Sequence, residues 1–143
     1  MPSTDRHLLC AQQHLSAAEA IRGIPERSWA LVSYFYTALH VVHAALPGVP
    51  NILISRQHPE SHTDRTQGAE GTNWVLYRDP NCNVIYQPYT SLYNASIDVR
   101  YKGGVIASDV LRHHRTELRA VARWACGILH LDVQDCSCWL SLI

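Results

Sequence analysis

Residues 25–46, PERSWALVSYFYTALHVVHAAL, decide the fold. Between Trp29 and Leu46 there is no Asp, Glu, Lys or Arg. Leu31, Phe35, Leu39, Val42 and Leu46 recur at three- and four-residue steps, the spacing of one helical face. Trp29, Tyr36, His40 and His43 make an adjoining stripe of aromatic and imidazole rings. A helix this apolar has no ordinary solvent face, so it belongs at the centre of a bundle or at a subunit interface. Pro47-Gly48-Val49-Pro50 ends it, because proline cannot continue a helix.

Helices on either side follow from the same periodicity. Leu8, Ala11, Leu15 and Ala18 share one face of a helix predicted over residues 4–22, stopped by Gly23-Ile24-Pro25. Downstream, Ser61 and Asp64 fit a capping box and predict a helix start at Ser61. Gly68 and Gly71 each weaken a helix by roughly 1 kcal/mol relative to alanine. That helix is therefore expected to be short, bent or broken before Trp74-Val75-Leu76-Tyr77, ahead of a turn at Asp79-Pro80-Asn81. A fourth pattern over residues 87–101 starts with Pro88 in its first turn and carries Tyr86, Tyr89, Tyr93, Ile97 and Arg100 on one side. Lys102-Gly103-Gly104 ends it. The last helix, over residues 108–131, has Ser108 as N-cap and Asp109 in its first turn. Val110, His114, Leu118, Val121, Ala125 and Ile128 are its expected core face, with Arg112, Arg115, Arg119, Arg123 and His130 opposite. No two-residue alternation argues for strands. The fold class is all-α, an up-and-down bundle of four to five helices, with residues 1–131 as one domain and residues 132–143 as an apolar-ended tail.

Composition sets bounds on function. The chain's 143 residues suit one domain, and 47% hydrophobic against 17% charged residues permits a sizeable core. With 12 basic and 12 acidic side chains the formal charge is zero, which disfavours a whole-surface nucleic-acid binder and leaves room for a local basic patch. No leader-like segment is expected before the first helix, and no apolar run is expected to reach the roughly 20 residues that span a bilayer. Five cysteines without zinc-type pairs fit reduced thiols and a cytoplasmic protein; Cys136-Ser137-Cys138 reads as a tail with two ordinary thiols. No membrane partner, cofactor or metal is expected. A zinc site from His40, His43, His58 and His62 lacks carboxylates and any fixed geometry. No nucleophile elbow or glycine-rich phosphate loop is present.

The chemistry concentrates in His58-Pro59-Glu60-Ser61-His62-Thr63-Asp64-Arg65. With Ser61 as N-cap, His62 lies in the first turn, where backbone N–H groups attract anions and keep imidazole neutral as a general base requires. Arg65, three residues on, can clamp a phosphate. The same octapeptide also serves simply to start a helix. On the second helix Tyr36 and His40 project together, either as satisfied core groups or as part of a pocket with Arg65 or Arg100. The arginines of the last helix, with Tyr101 and Lys102, can follow a phosphate backbone and stack on unpaired bases, though a merely solvated face has the same pattern.

Three motifs in order, YFYTALHVVHAAL, HPESHTDR and YTSLYNASIDVRY, resemble those of one branch of small prokaryotic HEPN-domain proteins. The likeness spans about residues 29–101. It implies a HEPN-like bundle, usually a homodimer, in RNA metabolism, toxin–antitoxin modules or anti-phage defence, often as a metal-independent endoribonuclease. The family's signature, an arginine and a histidine four to six residues apart on a late helix, does not follow Arg100, since residues 101–107 contain no histidine; Arg56 and His62 have the spacing but straddle a predicted loop and helix start. In the catalytic version of this reading His62 is the general base, Arg65 or Arg100 stabilises the developing charge, and Tyr36 and His40 orient the site. The alternatives are a non-catalytic module that dimerises or binds a cognate protein through the second helix and the tail, and a small-nucleotide binder.

Overall fold

The computed structural model describes residues 3–52 and 71–131. His58, His62 and Arg65, with the whole octapeptide, and Cys136 and Cys138 in the tail, lie outside the described residues. Five helices occur: α1 (Thr4–Ile21), α2 (Trp29–Ala45), α3 (Thr72–Arg78), α4 (Tyr86–Lys102) and α5 (Ser108–Ile128), with no strand among the described residues.

Each helix begins and ends for a local reason. Ser3 caps α1 by accepting from the Arg6 backbone N–H at 3.4 Å. Residues 25–28, expected to be helical, form turns instead, and α2 starts only at Trp29. Pro25 does not nucleate the helix. It sits within turns closed by bonds from Arg27 N–H to Ile24 and from Trp29 N–H to Glu26. The helix start expected at Ser61 lies outside the described residues, and Trp74 to Tyr77 lie inside a short helix, α3, that starts at Thr72. Gly71 is the extended residue at its N-terminus, so the glycine opens a helix where it was expected to weaken one. α4 ends where Gly103 takes φ of +66°, a backbone region that costs other residues about 1 kcal/mol or more.

α2 is the central helix. It packs on α1, α4 and α5. Leu31, Phe35, Leu39, Val42 and Leu46, the stripe read from sequence, are all buried. The segment Trp29–Gly48 is, by length and composition, apolar enough to cross a bilayer, contrary to the sequence expectation. Yet 72% of its window is buried inside the bundle, the burial of a core helix. Little of α2 is left for a subunit contact, with Trp29 its one large exposed apolar residue.

Contacts fix the directions. Thr4 reaches the Ala44 carbonyl at the far end of the hairpin and Tyr34 reaches Glu19 near the turn, so α1 and α2 run antiparallel. Phe35 meets Tyr89 and Tyr93 edge-on at 5.9 and 5.4 Å, joining α2 to α4. Arg115 of α5 reaches Glu19, while Ile128 lies against Gly48, so α5 runs parallel to α2. The up-and-down order follows. On α5, Leu118, Val121 and Ala125 are buried as the periodicity predicts, together with Leu111, Ala122 and Cys126. Val110 instead is 42% exposed, because the buried arc is centred nearer Leu111. Cys10 and Cys82 are free thiols. Cys126 is disulfide-bonded to a partner outside the described residues, which corrects the expectation of five reduced thiols.

Candidate functional site

Two polar clusters interrupt this apolar bundle. The first lies where the end of α1, the start of α2 and the start of α5 meet. Glu19 organises it. Its Oε1 accepts from the Tyr34 hydroxyl at 3.1 Å and from Arg115 Nε at 3.1 Å. Its Oε2 accepts from Arg115 Nη2 at 3.2 Å and pairs with Arg22 Nε at 2.8 Å. Arg115 thus grips the carboxylate with two parallel bonds, the geometry that gives a guanidinium a fixed direction. Burial first, and then the neighbouring Glu19 charge, push the Tyr34 hydroxyl well above its ordinary range, so it stays a proton donor. Beside this network opens a cavity of about 460 Å³ lined by Arg22, Gly23, Tyr34, Ser108, Leu111, Arg112 and Arg115. Arg115 therefore does not sit on an outward-facing solvated stripe. It is a half-buried anchor between α5 and α1.

Arg112, Arg115, Arg119 and Arg123 fall at steps of three, four and four, so they share one arc of α5 about 16 Å long. Arg112 and Arg123 are exposed; Arg115 and Arg119 are half-buried. His130 leaves the arc: it stands beyond the helix, in a turn, with φ of 52°. Tyr101, in the last turn of α4, is 76% exposed with the Arg100 guanidinium 5.5 Å from its ring centre. Lys102 is held by Asp98 at 2.6 Å.

The second cluster is a ladder of histidines between α1 and α2. His7 Nδ1 and His40 Nδ1 are 3.0 Å apart, so one ring donates and the other accepts. His14 stacks between Tyr36 and His40, with ring centres 5.3 and 5.5 Å away. His43 Nε2 lies 2.9 Å from the Thr72 hydroxyl on α3, and its ring is 5.6 Å from that of His7. Burial, then the charges of His7 and His14, lower the His40 imidazole to about 4. Burial also lowers His14, and burial followed by Arg6 lowers His7. At neutral pH His7, His14 and His40 are neutral rings, and His7 and His40 satisfy one another. No group of three or more metal-binding side chains among the described residues is arranged to hold a metal ion.

The candidates read from sequence therefore separate. Tyr36 and His40 come together, but through His14 on α1. Arg100 does not join them: its Nε and Nη2 donate to the backbone and hydroxyl of Ser96 on its own helix. The pocket expected from His40 and Arg100 is not formed, because His40 turns toward α1 while Arg100 is tied back along α4. Sequence reasoning passed over Glu19, Arg22 and Tyr34, and also His7 and His14. A signal existed for the histidines, whose seven-residue separation places them on one helical face. None marks Tyr34 as a partner of Glu19, since that contact depends on how the hairpin closes.

Together these elements define an all-α bundle with a basic cavity at one end and a neutral histidine ladder in its α1–α2 seam. Comparison with family models, with curated proteins and with solved structures finds no match to the chain.

Proposed function

We propose that this chain is a HEPN-like helical protein that binds RNA along α5 and the adjoining bundle end, in a toxin or anti-phage defence setting and as a homodimer. The observation that carries the reading is the arginine arc of α5 running into a cavity that adds Arg22; Tyr101, at the end of α4, is separately exposed. Guanidiniums along an arc contact successive phosphates, and an exposed tyrosine ring offers a base a stacking surface. The motif resemblance supplies the RNA setting and the homodimer.

The geometry favours binding over cleavage through His40. His40 is engaged by His7 and His14, away from the arginine arc. A metal-independent cleavage step rests on His62 with Arg65. Salt titration of binding to a single-stranded RNA oligomer tests the main reading. Log affinity is expected to fall linearly with log salt, by roughly 0.7 per phosphate contacted. Arg123→Ala is expected to reduce that slope by about one contact. Affinity independent of salt and unchanged by Arg123→Ala would overturn it. Incubation with total RNA and tRNA in the presence of a chelator separates cleavage from binding, with His62→Ala as control. A measured mass near twice 16.1 kDa is expected for the homodimer.

A further inference from the structure

We infer that the cavity between the ends of α1 and α5 is a site for a phosphate monoester, the doubly charged group at the end of an RNA strand or on a free mononucleotide. The RNA arm rests on the reading above; the mononucleotide arm does not.

The cavity differs from the rest of the arginine arc in shape and in how its cations are held. Three guanidiniums, those of Arg22, Arg112 and Arg115, line one concavity from two helices, whereas Arg119 and Arg123 do not line it. A flat basic arc suits the single charges of a strand's internal phosphates. A concavity lined by three cations suits a group that projects from a chain end and carries up to two charges near neutral pH. Its volume of about 460 Å³ is within the range of small-molecule clefts, about 300–1,000 Å³, and exceeds what a bare anion fills.

Glu19 prepares the site without occupying it. Both its oxygens are already engaged, by Tyr34, Arg115 and Arg22, so the carboxylate orients two guanidiniums. Arg22 gives Glu19 its Nε, and among the described residues no bond engages its terminal amino groups. Arg112 has no carboxylate partner among the described residues and is exposed at the rim. Asp109, the acidic residue in the first turn of α5, is not among the lining residues. Ser108 adds a hydroxyl at the first position of α5, a helix whose 21 residues give its N-terminus a positive field. Buried Tyr34, held by Glu19, and Leu111 form the floor behind the three guanidiniums.

The test compares one RNA oligomer with a phosphate or a hydroxyl at its 5′ end, and likewise at its 3′ end, by fluorescence anisotropy. Adenosine 5′-monophosphate, adenosine, inorganic phosphate and an acidic Asp-Glu peptide serve as competitors. At least one phosphorylated end is expected to bind about tenfold more tightly than its hydroxyl counterpart, the effect of one added charge-assisted clamp. Arg112→Ala and, separately, Arg22→Gln are expected to bring that ratio close to one; Arg123→Ala weakens both oligomers and leaves the ratio unchanged. Competition by the mononucleotide but not by adenosine extends the site to free nucleotides, and its absence assigns the site to strand ends. Should no RNA bind while the mononucleotide still binds in an Arg112-dependent way, the RNA reading fails and the cavity inference stands. A ratio near one in the wild-type protein, with no competition by the mononucleotide or by phosphate, overturns the inference even where RNA binds. Equal competition by the acidic peptide overturns the phosphate class in favour of a carboxylate-bearing protein partner.

Discussion

Acidification is expected to destabilise the bundle through the α1–α2 seam, and His40 sets the size of the effect. An imidazole in the unfolded chain titrates near 6.5, whereas in the fold His40 titrates near 4. The folded pKa is the lower one, so the unfolded chain takes up the proton first and stability is lost as pH falls through 6.5 toward 4. At pH 5 the protonated form outnumbers the neutral form about thirtyfold in the unfolded ring while the folded ring stays mostly neutral, a difference that converts to about 2 kcal/mol. His40 is only half-buried, so solvent screening reduces this to about 1 kcal/mol. His7 and His14 are lowered as well and act in the same direction. The 3.0 Å approach of His7 and His40 adds a steric reason, because the pair holds one bridging proton and a second would set two N–H groups face to face. The assay is urea unfolding at pH 7.5 and pH 5.0, for the wild type and for His40→Phe, which keeps a ring in the seam. The variant is expected to be less stable at pH 7.5, having lost the bond to His7, yet to lose about 1 kcal/mol less than the wild type between the two pH values. Equal losses in both proteins would refute the assignment of the acid sensitivity to His40.

Other consequences follow from single contacts. Glu19→Ala removes the acceptor shared by Tyr34, Arg22 and Arg115 and leaves a buried hydroxyl unpaired, so a loss of about 1–3 kcal/mol is expected in chemical denaturation, with Glu19→Gln recovering part of it. Gly103→Ala places a Cβ at φ of +66° and is expected to cost about 1 kcal/mol although nothing crowds the site; an unchanged unfolding midpoint would count against the left-handed helix end. Cys82, whose thiol burial and then Asp79 push up to about 12, is expected to resist a thiol reagent in the native protein at pH 8 while half-buried Cys10 reacts, a difference that mass spectrometry of the labelled chain reads directly. Trp124→Phe gives up the 2.9 Å bond from the indole N–H to the Asn81 carbonyl, for an expected loss of about 0.5–1.5 kcal/mol.

Much of the helical framework was legible in the sequence because it depends on near neighbours. The absence of charge between Trp29 and Leu46 placed α2 at the bundle centre or a subunit interface, and its burial among α1, α4 and α5 is that of the first. The three- and four-residue spacing of Ala11, Leu15 and Ala18 gave α1 its buried face, and Gly103 its partner helix α4 an end. Local rules failed where the context was shared between segments. Val110 read as core but is displaced by Leu111 through a rotation of about one residue.

What the sequence by itself determined is therefore the set of helices and which of their faces avoid water, since both follow from periodicity within one segment. Only the tertiary structure decided which polar groups meet. His40 was paired by expectation with arginines, yet the closing of the α1–α2 hairpin gives it His7 and His14. Arg115 looked like one of four equal arginines, yet the parallel run of α5 beside α2 brings it to Glu19, 96 residues away in the chain. Such pairings depend on the relative rotation and direction of separate helices, and the spacing of residues within any one of them carries no information about that.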